Sequence, residues 1–87
     1  MEKTVFEFSE YSMIFYMKHT SLIKNLCRLS INFSNNIEKL IQSETRISSI
    51  ENCLFQTVKE IEEKNISEDF ERKIIIEKYF PSISYVQ

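Results

Sequence analysis

Few residues in this chain have the chemistry for catalysis or metal binding, and their spacing is unfavourable. His19 is the only histidine, and Cys27 and Cys53 are the only cysteines. On a helix Cys27 lies roughly 12 Å beyond His19, too far to share a metal ion with it. A zinc site wants three or four ligands at short spacing, as in C-x-x-C pairs, and neither cysteine has a neighbouring Cys or His of that kind. A nucleophilic thiol needs a base and an oxyanion pocket, which a single histidine and no glycine-rich turn do not assemble. The chain has no glycine at all, which rules out a phosphate-cradling loop. The acidic run Glu60, Glu62, Glu63 reads as a solvated helix face. The expectation is a non-enzyme with no cofactor and no metal, in which His19 sits in an apolar seam with a backbone or carboxylate partner and Cys27 fills core space.

What must position these residues is helical. The only proline is Pro81, so eighty residues pass without either of the common helix breakers. Apolar side chains recur at three- and four-residue steps: Phe8, Tyr11, Phe15, (His19), Leu22, Leu26, Leu29, Phe33, Ile37 and Leu40, then Ile47, Ile50, Leu54, Val58 and Ile61. That is one helix face sustained for about seven heptads. Alanine is absent too, and thirteen isoleucines and eight lysines stand against three arginines, as an AT-rich genome produces. Base composition explains the missing glycine but cannot place apolar residues in register.

Capping residues outline the elements. Thr4-Val5-Phe6-Glu7 fits a capping box, with Ser9 and Glu10 as a second helix start. Breaks are expected near Ser34-Asn35-Asn36 or within Gln42-Ser43-Glu44-Thr45-Arg46. Asn65 suits a left-handed helix end, and Ser67 before Glu68 and Asp69 caps a last helix over about 67–80 that turns Phe70, Ile74 and Tyr79 inward. Residues 81–87 alternate polar and apolar and read as an extended tail. The fold class is therefore all-α in a single domain, 1–87: a long helical region over about 8–62, as a hairpin or coiled-coil-like bundle, then a short C-terminal helix and a tail. An unbroken helix over 8–61 would be about 80 Å long and could not bury its stripe alone.

Eighty-seven residues with 43% hydrophobic and 28% charged content suit an ordered domain. A chain this short buries only roughly 60% of its unfolded surface, so partners often complete the core. A net charge of −2 with interspersed signs gives no basic face for nucleic acid. The apolar run Met13–Met17 is far short of the about twenty residues that span a bilayer. Two lone cysteines and no leader-like segment point to a reduced, intracellular setting.

Residues 8 to 61 resemble the Dad-one family, a small subunit of the fungal DASH (Dam) outer-kinetochore ring. The resemblance rests on Phe8 and Glu10 for a Phe-x-Glu start, then Phe33, then Ile37, Glu38, Leu40 and Ile41. Ile47 follows at an aromatic position, and Ser48, Ser49, Ile50 and Leu54 at a Ser-Val-x-x-Leu-Trp motif. The family's glycine falls on Glu44, its Trp on Leu54 and an expected Asn on Ser34. The resemblance implies a non-catalytic subunit, in the nucleus or at the spindle, that couples chromosomes to microtubules within a bundle of sister subunits. The residues by themselves lead to a small helical protein that packs against other helices. With the resemblance, the expectation is a structural subunit of a hetero-oligomeric helical assembly whose partners are other helical proteins, with the apolar stripe from Phe8 to Ile61 as the interface. The rival is a stand-alone helical binding protein, viral or from a mobile element, that occludes a target surface. It would use the aromatic N-terminus or the Phe80–Gln87 tail.

Overall fold

The breaks that shape the fold are made by hydroxyl side chains and by one asparagine. The computed structural model describes residues 13–42 and 47–81. Five helices follow one another: α1 (residues 13–18 among those described), α2 (Thr20–Leu29), α3 (Ile31–Gln42), α4 (Ser48–Glu63) and α5 (Asp69–Tyr79). The described residues are helical with no strands, and the all-α class stands. The capping box at Thr4–Glu7, the Ser9 start, Phe8, Tyr11, Glu44 and the tail beyond Pro81 lie outside the described residues.

Between α1 and α2 the chain bends without leaving the helix path. His19 has φ −118° and ψ 28°, yet its N–H still reaches the carbonyls of Phe15 (3.1 Å) and Tyr16 (3.2 Å). The Thr20 hydroxyl donates to the Tyr16 carbonyl at 2.8 Å and to that of Met17 at 3.1 Å. Such back-bonding offers the carbonyls a second donor and bends helices.

The next break is at Ser30, four residues before the one expected. Ser30 is extended (φ −146°, ψ 119°), and its Oγ accepts the Phe33 N–H at 3.1 Å, an N-terminal cap for α3. Ser34-Asn35-Asn36 lies inside α3 instead of ending it. Asn36 stays helical because its side-chain amide donates back along the helix to the Asn32 carbonyl at 2.8 Å. The second expected break, over residues 43–46, falls outside the described residues, between the end of α3 and the start of α4.

Asn65 does end α4 as its type predicts. It takes φ 54°, its N–H reaches the Glu62 carbonyl (3.2 Å), and the Ile66 N–H reaches the Ile61 carbonyl (2.9 Å). These two bonds are the Schellman pattern, and they fold the half-buried Ile66 back onto the core. The N-cap of α5 is Glu68 and not Ser67, and no side chain caps it.

The inward face of α5 also differs from expectation. Ile75, Ile76 and Phe80 are buried and Tyr79 is half-buried, whereas Phe70 and Ile74 face outward. Polar ties set this rotation. Arg72 donates from Nε to the Ile66 carbonyl (2.9 Å) and from Nη1 to the Asn25 Oδ1 on α2 (2.7 Å). Tyr79 gives its hydroxyl proton to Glu60 on α4. At about 100° per residue, positions 72, 75, 76 and 79 then share one face, and 70 and 74 fall on the other.

The core is formed by Ile23 and Leu26 of α2, Phe33, Ile37 and Leu40 of α3, Leu54, Val58 and Ile61 of α4, and Ile75, Ile76 and Phe80 at the C-terminal end. α2 packs on α3 and α5, and α4 packs on α3 and α5. Asn32 closes this arrangement by donating to the Phe80 carbonyl at 2.8 Å, which satisfies a C-terminal helix acceptor.

Candidate protein-interaction surface

The periodic stripe lines the inside of its own chain. Leu26, Phe33, Ile37, Leu40, Leu54, Val58 and Ile61 are buried in the core. Phe15, Leu22, Leu29 and Ile50 are partly buried and packed against it, and Ile47 is half-buried. The expected interface residues from Phe15 to Ile61 therefore meet one another within the monomer. Of the two geometries open to the stripe, one long helix among partners or shorter helices facing one another, the chain takes the second.

The groove that remains lies between α1 and α4. It has a volume of about 380 Å³ and is lined by Phe15, His19, Phe55, Val58, Lys59, Glu62 and Glu63. Its floor is aromatic. The Phe15 ring lies 4.6 Å from that of Phe55 and 4.5 Å from the His19 imidazole, both tilted. Its polar edge is the contact of His19 Nδ1 with Glu62 Oε2 at 3.0 Å, the carboxylate partner that the sequence leads one to expect. Lys59, Glu62 and Glu63 form a charged rim. On the same helix as Phe15, the side chains of Met13, Ile14 and Met17 are exposed. Phe55 lies off the stripe, and nothing in the periodicity marks it as Phe15's partner.

No catalytic set forms from these groups. Burial is the main cause that raises both thiols above their usual 9.0; at Cys27 the Ser34 hydroxyl opposes it and the Glu38 carboxylate adds to it. A protonated thiol is a poor nucleophile. Among the described residues no group of three His, Cys, Asp or Glu side chains is placed to hold a metal ion. Among them too, no helix is long and apolar enough to cross a membrane.

Among the described residues, the one strongly shifted carboxyl is structural. Glu60 on α4 accepts from the Tyr79 hydroxyl (2.6 Å), Lys78 (3.0 Å) and Lys64 (3.0 Å). These three donors, Tyr79 foremost, pull it down from 4.5 to about 2, and Glu60 in turn raises Lys78. Glu60 thus clamps α4 to α5 and does not belong to a solvated acidic face. No protein-family model, curated protein or solved structure matches this chain.

Proposed function

We propose that this chain is a non-catalytic protein-binding module whose contact surface is the aromatic groove between α1 and α4 together with Met13, Ile14 and Met17. The observation that supports this most is a contrast in burial. The stripe is covered by its own chain, while Met13, Ile14 and Met17 remain 44, 60 and 67% exposed on the helix that forms one groove wall. An amphipathic helix of a partner protein suits such a place: it would seat an apolar side chain on Phe15 and Phe55 and leave its polar flank to the charged rim. Methionine favours this use, because its unbranched side chain adapts to the surface it meets.

The partner is another helical protein in either version of this reading. A subunit of a permanent assembly, with the kinetochore ring as its instance, would depend on its sisters for folding. A stand-alone binder that occludes a target would fold first and bind afterwards, and the self-covered stripe favours this version. The test replaces Ile14 and Met17 by glutamate in the full chain and measures both the melt and recovery of cross-linked partners from the source cells. Expected are an unchanged melt and loss of a specific partner. A partner retained by the variant refutes the surface, and a wild-type chain unfolded on its own refutes the stand-alone version.

A further inference from the structure

The outer face of α5 has no role in the fold or in the groove. Phe70 and Ile74, one turn apart, are 73 and 52% exposed, directly opposite the face that Ile75 and Ile76 bury. Along one flank of this apolar pair lie Lys73 and Glu77, again one turn apart. Neither makes a hydrogen bond or ion pair among the described residues, unlike Lys78, which Glu60 already holds. A cavity of about 290 Å³ joins that same flank to Ile31 at the start of α3, which is 76% exposed and extends the apolar surface.

We propose that two copies of this chain pair antiparallel through α5, Ile74 against Ile74 across a twofold axis and Lys73 of each copy against Glu77 of the other. The charge order selects a second copy as the occupant. A twofold axis perpendicular to two facing antiparallel helices brings each flank against the same flank of its mate. With the axis level with residue 75, Lys73 of one copy lies level with Glu77 of the other along the helix, the two Lys73 side chains stand about 6 Å apart in that direction, and the pairing occurs twice. Opposed helix dipoles favour this direction over the parallel one. A parallel pair would also need Lys78, which Glu60 occupies. The face is small beside the roughly 800 Å² per partner of a standard interface, so the dimer is weak.

The pairing shares no residue with the α1–α4 groove, so either proposal can fail without the other. The test is sedimentation equilibrium of the full chain from about 5 μM to about 1 mM, at low and high salt, a range that reaches a weak dimer. A monomer–dimer equilibrium is expected, weakened by salt and abolished by Ile74→Glu, with the melt of dilute protein unchanged. Lys73→Glu weakens it about tenfold, since two exposed ion pairs become repulsive. Adding Glu77→Lys restores the affinity. A chain monomeric throughout refutes the proposal, as does a dimer that survives Ile74→Glu. Rescue of Lys73→Glu by Glu71→Lys instead of Glu77→Lys refutes the antiparallel register. A different protein held on this face of an otherwise monomeric chain refutes the second copy as occupant.

Discussion

Two phenylalanines of the same helical protein should respond oppositely to truncation, because one is wholly buried and the other stands in solvent. Phe33 has no exposed surface, and its ring lies 5.0 Å from that of Phe80, tilted by 49°. Its removal deletes buried area, leaves a cavity between α3 and the end of α5, and abolishes an aromatic pair. Buried Phe→Ala changes cost about 3–5 kcal/mol, of which an aromatic pair accounts for about 0.5–1.5. At about 0.05–0.15 kcal/mol per residue, an 87-residue domain holds roughly 4–13 kcal/mol in all. Phe33→Ala therefore removes about a quarter or more of the stability and lowers the melting temperature by at least about 12 °C. Phe70→Ala, at a 73% exposed helical site, should change stability by no more than about 0.5 kcal/mol. Alanine's better helix propensity even favours it there. Urea titration followed by circular dichroism at low micromolar protein measures both. A cost below about 1 kcal/mol for Phe33→Ala, or a larger cost for Phe70→Ala, would overturn the assignment of the stripe to an intramolecular core.

Three further outcomes follow from the polar ties. Glu60 is held at about 2 against its ordinary 4.5, so its contribution is fully present above 4.5 and is lost as pH falls toward 2; Glu60→Gln should flatten urea stability across that window, and an unchanged slope would show that the α4–α5 clamp does not form. Ser30→Ala removes the cap of α3 and should cost about 0.5–2 kcal/mol in the same titration, against little effect at Ser34 if the break lies where the fold has it. Cys27 and Cys53 should alkylate more slowly at pH 8 than free cysteine and speed up in urea, since burial raises both thiols; faster reaction in the folded chain would mean that one of them is activated.

The helical class was legible because the apolar period is independent of composition, and Asn65 was legible because few residues other than glycine accept φ 54° at a helix end. The break at Ser30 was not. One residue among Ser30, Ser34, Asn35 and Asn36 had to become the cap. The choice depended on Phe33 and Leu26 both reaching the core, and on Asn36 bonding back to Asn32. The rotation of α5 was hidden for a similar reason. Phe70, Ile74, Ile75 and Ile76 are apolar all around the helix, so its inward face is decided by Arg72 reaching Asn25 and Tyr79 reaching Glu60, contacts 47 and 19 residues apart in the chain. The groove had no signature in the sequence, since Phe55 lies off the stripe that contains Phe15.

A stripe repeating every three or four residues specifies which face of a helix is buried, not what buries it. One helix of about 54 residues, or α1 followed by three helices of 10 to 16 residues, carries the same pattern, and the difference lies in the breaks. Once His19 and Ser30 interrupt the run, each piece is close to the length at which an isolated helix is marginal in water, so it must lean on another. The nearest apolar faces are those of its sequence neighbours, joined by a residue or two, and α2 accordingly packs on α3. Closure of the stripe on itself thus begins with the bend at His19 and the cap at Ser30. Among the large apolar side chains that the period does not use, Met13, Ile14 and Met17 on α1 and Phe70 and Ile74 on α5 stay exposed, and association is proposed there. If so, charge placed at those positions should abolish association and leave folding intact, whereas charge placed on the stripe should do the reverse.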